Sequence, residues 1–415
     1  MVREKLHFGR YDFAAFSAFN MYSVCSFSIP LLIVAIGREL AFPLDDGGMA
    51  AGGMLHLIRS AAMMISLLLC GWIAAAFGKR VTLGAAVMAI GAGIFACGFA
   101  PAYGFLIPAL LAAGTGEGIC EGILTPFVQD LHPESPERYV NLSHAFWSTG
   151  IVMAVLLCGG ALACGMSWRI ILCLIGLLTI LSGTAFFRRE DPAHPAPEAR
   201  EGVPGAEVPK KIRAIIRSRR FWRCCLAMFF GAGAEFGLTF WAAAYIELTF
   251  QTSALAAGVG TGIIALGMFI GRTGFGCIAR QGNLRRILLG SSLGTIPAVL
   301  LLAALRPGTM PPAALAVCFG ILLLLCGIGI APYWPTTQVY GVLAMPELDP
   351  TMLYVLFSAT GIPGCGFFAW FMGAAGDRWG ITGALLVVPV CLLIFAAVVF
   401  VECRLSGSGE RQTEK

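Results

Sequence analysis

The sequence predicts an all-α integral membrane protein, with about twelve transmembrane helices in two groups of six. Three observations carry that prediction. Hydrophobic residues make up 58% of the chain and charged residues only 12%, whereas a soluble domain carries about a quarter charged residues. Apolar runs of roughly 20 residues recur along the whole length, enough for a helix to cross about 30 Å of hydrocarbon. One long polar stretch, Arg188 to Arg220, separates the runs into two sets. The alternation of short apolar and polar residues that marks an outer-membrane barrel is missing.

The first apolar run, 13–36, is too long for a signal-peptide core and lacks a small-residue cleavage site, so it is expected to be a span and not a cleaved leader. Further spans are expected at 49–77, 81–100, 105–128, 140–163 and 169–187. Residues 1–187 then form an N-terminal six-helix bundle. The segment 188–221 holds Pro192, Pro195, Pro197, Pro204 and Pro209 among charges of both signs, a linker composition, with a short surface helix expected around Lys210–Arg220. A C-terminal bundle, 222–402, follows with spans at 222–246, 254–279, 286–305, 312–342, 351–375 and 381–402. Residues 403–415 form a tail.

Basic residues fix the orientation. Arg3, Lys5, Arg10, Lys79, Arg80 and Arg138 fall on one side with the linker cations, Arg280, Arg285, Arg286 and Arg404. Arg38, Arg169, Arg306 and Arg378 fall on the other. Both termini and the linker are therefore expected in the cytoplasm, in a multi-pass protein of the cell (inner) membrane. The net charge of +5 follows from this distribution and implies no nucleic-acid partner. The fifteen cysteines lie mostly in apolar runs, as small buried residues do. Their spacing matches no zinc site or disulfide framework, and no metal or cofactor is expected.

Glu117 and Glu121 stand four apart inside the fourth apolar run, on one helix face. Carboxylates at such depth usually face a cavity, a partner or a proton path. Gly114, Gly118 and Gly122 recur beside them, a spacing that lets helix backbones approach closely in lipid. Arg59 lies at comparable depth in the second span. An arginine does not shed its charge, and a nearby carboxylate lowers the cost of holding it in the membrane. One arginine and two glutamates leave one carboxylate free to exchange a proton. His56 and His144 are weaker relay candidates.

In the C-terminal half, Gly231-Ala232-Gly233-Ala234-Glu235-Phe236-Gly237-Leu238-Thr239-Phe240-Trp241 puts Glu235 and Thr239 on one face. The tenth span reads Pro332-Tyr333-Trp334-Pro335-Thr336-Thr337-Gln338, and its prolines interrupt the helical ladder. An acid, aromatics, hydroxyls and an amide suit a polar solute with an apolar face, as sugars are. Glu235, Thr239, Trp241, Tyr333, Trp334 and Gln338 are expected to bind solute, with Tyr22, Asn20, Ser26 and Trp147 facing the same cavity. Arg272, near the end of its span, is expected to gate, with Lys79 and Arg80 in the loop after the second span.

Two six-span halves joined by a linker resemble the major facilitator superfamily, whose fold has two six-helix bundles built of inverted repeats around a central site. Gly71-Trp72-Ile73-Ala74-Ala75-Ala76-Phe77-Gly78-Lys79-Arg80 is similar to that family's loop signature, with Ala75 and Ala76 where the pattern has an acid–base pair. Gly271-Arg272, Arg280-Gln281-Gly282 and Gly373-Ala374-Ala375-Gly376-Asp377-Arg378-Trp379-Gly380 carry related patterns. Gly116-Glu117-Gly118-Ile119-Cys120-Glu121-Gly122-Ile123-Leu124-Thr125-Pro126-Phe127-Val128, with His132-Pro133-Glu134-Ser135 and Val140 to Phe146, resembles fucose-permease-like sugar:proton symporters. That resemblance implies proton coupling at Glu121, and Arg59 is expected to pair with one of the two glutamates while the other titrates. The first-helix aspartate of that subfamily has no counterpart here, where the region reads Cys25-Ser26-Phe27-Ser28. Thr125 and Trp147 replace its asparagines.

The expected function is import of a small polar solute, a sugar first, by proton symport with alternating access, in a monomer. The alternatives are proton-coupled efflux of amphipathic compounds or organic ions, an uncoupled facilitator, and a non-transporting membrane sensor. The Gly-Pro signature of superfamily antiporters is missing from the fifth helix, and no Walker sequence is present. No nucleophile–base arrangement points to an enzyme.

Overall fold

The structure is a computed structural model that describes residues 7–133, 136–188, 208–280 and 282–413. Most of the expected linker, 189–207, lies outside the described residues, as do 1–6, the Glu134–Ser135 pair and the last two residues of the tail. Eleven of the described helices are long and apolar enough to cross a membrane. They are Arg10–Glu39, Met49–Phe77, Lys79–Cys97, Tyr103–Leu131, Leu142–Ala163, Trp168–Phe187, Arg219–Phe250, Ala254–Ile278, Leu284–Ala304, Pro312–Leu343 and Pro350–Leu385. A shorter apolar helix, Val387–Glu402, completes the series as the twelfth span. The linker helix, Val208–Arg217, precedes the seventh.

Several boundaries differ from the sequence reading, each for a local reason. The first helix starts at Arg10 because Asp12, in its first turn, accepts the Gly9 amide at 2.8 Å and caps it. The first span therefore does contain an aspartate, at its end and not at mid-depth. The fifth span widens into a π-helical turn at Val155–Gly160. The tenth breaks between Ile330 and Tyr333, because Pro332 and Pro335 supply no amide to the ladder. The eleventh runs on to Leu385 through a bend at Gly380, whose φ of 73° suits glycine. The last helix extends to Thr413, through most of the stretch read as a tail.

The packing of the spans repeats with an offset of six. The first packs on the fifth and sixth as the seventh packs on the eleventh and twelfth. The second packs on the fourth as the eighth packs on the tenth, and the third on the sixth as the ninth on the twelfth. The second span with the eleventh and the fifth with the eighth join the halves, and the first touches the seventh and eighth. Each half thus has the same internal topology, and where the fifth span meets the eighth, His144 and Arg272 stay exposed in the cleft between the halves.

The contacts that join the halves cluster at one end, which carries the loop after the first span and the loop after the seventh. Asp377 accepts the Met49 and Ala50 backbone amides at 2.8 and 2.9 Å. Those amides open the second span, whose preceding residue, Gly48, has no side chain to cap them. A carboxylate from one half thus caps a helix of the other. Arg38 lies 3.7 Å from Glu247, and His56 stacks on Phe236 with ring centroids 4.2 Å apart. Gly53 meets the backbone of Ala369 and Trp370 so closely that no side chain fits there. Among the described residues, no hydrogen bond, ion pair or ring contact joins the halves at the opposite end.

Candidate functional site: a central cleft between two charged walls

The N-terminal wall begins with a close helix approach. Gly114, Gly118 and Gly122 lie against Arg59, Met63 and Cys70 of the second span, and a Cβ at Gly114 would strike the Arg59 backbone. This approach brings Arg59 onto Glu117. The Arg59 Nε donates to Glu117 Oε2 at 2.7 Å, and Nη2 donates to Oε1. Ser26 Oγ donates to the same carboxylate at 2.9 Å, and Arg59 Nη2 also reaches the Cys25 carbonyl at 3.1 Å. Both residues are 2% exposed. A forked, fully buried pair with every oxygen satisfied is a neutral unit.

Glu121, one turn further on, has a different environment. Its Oε2 accepts from the Tyr22 hydroxyl at 3.3 Å, and no cation pairs with it among the described residues. Trp147 packs edge-on against Tyr22, with centroids 4.6 Å apart. His144, exposed, shares a hydrogen bond with Thr125 Oγ1 at 3.2 Å.

The C-terminal wall holds Glu235 and Arg272. Arg272 Nη2 donates to Glu235 Oε1 at 2.8 Å. The second oxygen, Oε2, is buried without a hydrogen-bond partner among the described residues. The Arg272 side chain is 41% exposed, and it lies within electrostatic reach of Glu121 and His144 across the cleft. Setting aside the closed Arg59–Glu117 pair, the cleft thus presents two carboxylates and one guanidinium. Its net charge changes by one when a carboxylate takes up a proton. Among the described residues, no group of three His, Cys, Asp and Glu side chains converges as metal ligands.

Glu121 with Tyr22 and Trp147 on one wall, and Glu235 with Arg272 and the Trp334 backbone on the other, are thus the candidates gathered around the two acids. Most of the other candidate side chains are placed elsewhere. Trp241 is fully buried near the joined end, where it touches Gly52 and donates to the Ala369 carbonyl at 2.9 Å. Thr239 turns its hydroxyl back onto the Glu235 carbonyl at 3.1 Å. Asn20 binds Thr149 at 2.8 Å between the first and fifth spans. Tyr333 is buried inside the C-terminal half, donating to Thr295 at 3.2 Å and packing on Phe395. Gln338 binds Ser358 at 2.9 Å, and Trp334 packs over Gly361. Lys79 pairs with Asp130, and Arg80 donates to the Phe186 carbonyl at 2.9 Å, both within the N-terminal half.

Ser26, expected with Tyr22 and Asn20 to face the cavity, instead completes the Glu117 shell. Two residues matter here that the sequence reading did not select. Asp12 pairs with His132 at 2.7 Å under the stacked ring of Tyr139. Asp377 caps the second span across the halves. An acid in a Gly-Asp-Arg loop pattern was the only signal for Asp377, and that pattern says nothing of a partner that is backbone.

The fold matches solved transporters over nearly its whole length. The chain is similar to a bacterial homologue of the human lysosomal transporter Spinster, in an inward-facing and unoccupied conformation, at 17% identity and TM-score 0.70, covering 95% of this chain and 96% of that one. It is similar to a D-xylose-proton symporter at 13% identity and TM-score 0.73, covering 95% and 96%. It is similar to the E. coli fucose:proton symporter at 18% identity and TM-score 0.61, covering 94% and 98%. No curated protein matches by sequence. The family model of the Major Facilitator Superfamily matches residues 13–349. A match of that extent, on an all-helical fold of paired six-span halves, means that the chain belongs to the Major Facilitator Superfamily and is a membrane transporter, not an enzyme.

Proposed function

We propose that this transporter imports a small polar solute, a sugar first, together with a proton, and that Glu121 carries the proton. The observation that carries this reading is the division of labour among the buried acids. Glu117 is committed to Arg59 in a forked pair. Glu121 holds only a neutral tyrosine hydroxyl, so it can gain or lose a proton without breaking an ion pair. Glu235, with an unpartnered oxygen beside the half-exposed Arg272, offers an acceptor to a solute hydroxyl. Tyr22 and Trp147 offer ring surface on the facing wall. The fold likeness to two sugar:proton symporters supports the same reading.

In this reading the six-span halves, 1–187 and 222–402, act as two bodies that rock about the central site in a monomer. The excess of basic residues at the linker end assigns that end, with both termini, to the cytoplasm of a cell (inner) membrane. The joined end is then the outer gate, and the conformation is inward-open. Arg272, bonded to Glu235 and facing Glu121, is the cation that both walls share as the cleft closes.

Reconstitution into liposomes with counterflow against a sugar panel, with and without a pH gradient, tests the proposal. Sugar exchange that an inward-acid gradient stimulates is the expected result. Exchange of hydrophobic cations with no sugar exchange overturns it. An uncoupled facilitator is the second reading, favoured because the only aspartate of the first helix, Asp12, sits at its end against His132. Sugar exchange with no gradient response selects it.

A further inference from the structure

The linker helix Val208–Arg217 has two faces of opposite chemistry. On one side, Ile215 is fully buried among Phe221, Cys224, Met228, Met345, Leu353 and Phe357. That contact fixes the helix against the first turns of the seventh and eleventh spans. On the other side, Lys210, Arg213 and Arg217 recur at i, i+3 and i+7 and so share a face, and all three are exposed. Arg219, at the start of the seventh span, is exposed beside them. Among the described residues none of these four cations has a carboxylate partner. Two acids lie near the helix: Asp349 is taken by Lys211 at 3.0 Å, and Glu347 lines the same hollow beside Lys211 and Ala214.

At the edge between the two faces, apolar groups point outward. Ile216 is 45% exposed and Trp222 is 53% exposed, and the Trp222 Nε1–H is held by the Ile216 carbonyl at 2.8 Å. A tryptophan with its N–H satisfied and its ring outward is typical of the level where hydrocarbon meets headgroups. The helix cannot leave that level, because its last residue is two positions from the start of a membrane span.

We propose that the linker helix and the first turn of the seventh span form a binding surface for anionic phospholipid headgroups. Lys210, Arg213, Arg217 and Arg219 face the phosphates, and Ile216 and Trp222 enter the acyl boundary beneath them. The chemistry selects this occupant. Four cations without a carboxylate partner among the described residues meet a headgroup layer, each close enough to gain from its negative potential, and the apolar edge lies where acyl chains begin. The surface ties the segment between the two halves to the bilayer, beside the open end of the cleft.

Native mass spectrometry of the full-length protein, supplied with equal phosphatidylglycerol and phosphatidylcholine, tests this. About a tenfold preference for phosphatidylglycerol adducts is expected. Lys210→Gln, Arg213→Gln, Arg217→Gln and Arg219→Gln together bring the ratio near one. The unaltered protein at high salt gives the same fall, because screening weakens exposed charges, and this arm needs no variant to fold. Equal adducts in the unaltered protein, or a preference that survives both the substitutions and high salt, overturn the proposal. Displacement of phosphatidylglycerol by millimolar inorganic phosphate also overturns it, because the surface would then be a free-phosphate site.

Discussion

Each half of this transporter sets an arginine–glutamate pair beside the cleft, and the two pairs differ in kind. Arg59 and Glu117 are joined by two parallel bonds, with side chains 3% and 2% exposed. Arg272 and Glu235 share one bond, with side chains 41% and 11% exposed. Removing two charges from water costs several kcal/mol per ion, and only excellent geometry with further hydrogen bonds offsets it. The first pair has that geometry, from Ser26 and the Cys25 carbonyl. The second does not, and instead keeps one cation open to the cleft and one oxygen unmatched. The same two residue types thus serve as a brace in one half and as a contact surface in the other. What separates them is how closely the neighbouring helices approach.

Five substitutions would break or sharpen this contrast. The largest effect is expected at the brace. Arg59→Leu leaves Glu117 buried and uncompensated, with a loss of about 3–5 kcal/mol in unfolding measured in detergent. Adding Glu117→Leu should recover most of that loss. A double variant no more stable than the single one would sink the brace reading.

At the second pair the effect moves from stability to transport. Glu235→Gln should lower solute counterflow by roughly an order of magnitude or more, through loss of a charge-assisted bond worth about 1.5–3 kcal/mol. Its unfolding should shift by less than the Arg59→Leu variant's, because the amide carries no charge to leave buried and Arg272 is 41% exposed. Equal stability losses at Arg59 and Glu235 would erase the distinction between the pairs.

Glu121→Gln is expected to keep counterflow and lose stimulation by a pH gradient, since the amide still meets Tyr22 but carries no proton. Uptake by this variant that still follows the gradient in full would remove Glu121 from the proton path.

The smallest effect is expected at the contact that joins the halves. Asp377→Ala removes a helix cap, worth about 0.5–2 kcal/mol, and only in the conformation where the halves meet there. Spin labels at Asp45 and Gln251, in loops of opposite halves at the joined end, should show a larger share of long distances. An unchanged distribution would show that the cap does not favour closure at that end.

Much of the fold was legible in the chain, because the decision to enter a bilayer is made segment by segment. A run such as Leu315 to Ile330 is apolar whatever surrounds it. The same holds for the Glu117–Glu121 stripe, since a spacing of four puts both acids on one face in any helix. The positions of Trp241, Tyr333 and Gln338 were not legible in this way. Their composition suits a sugar site, yet helix rotation turns Trp241 toward Gly52 and Tyr333 toward Thr295. An aromatic side chain is equally at home in a cleft wall and in a core, so residue type alone does not choose.

The sequence by itself determined that this protein spans a membrane in two sets of helices, and that charges are held at depth within them. Those properties follow from hydrophobic length and from the cost of a charge in lipid, which are local and additive along the chain. The tertiary structure alone decided which glutamate Arg59 takes, which acid stays free, and that Asp377 caps a helix of the other half. Those outcomes depend on how far two backbones approach and how each helix is turned about its axis. Glycine spacing permits the approach, and only the packed neighbours set the rotation.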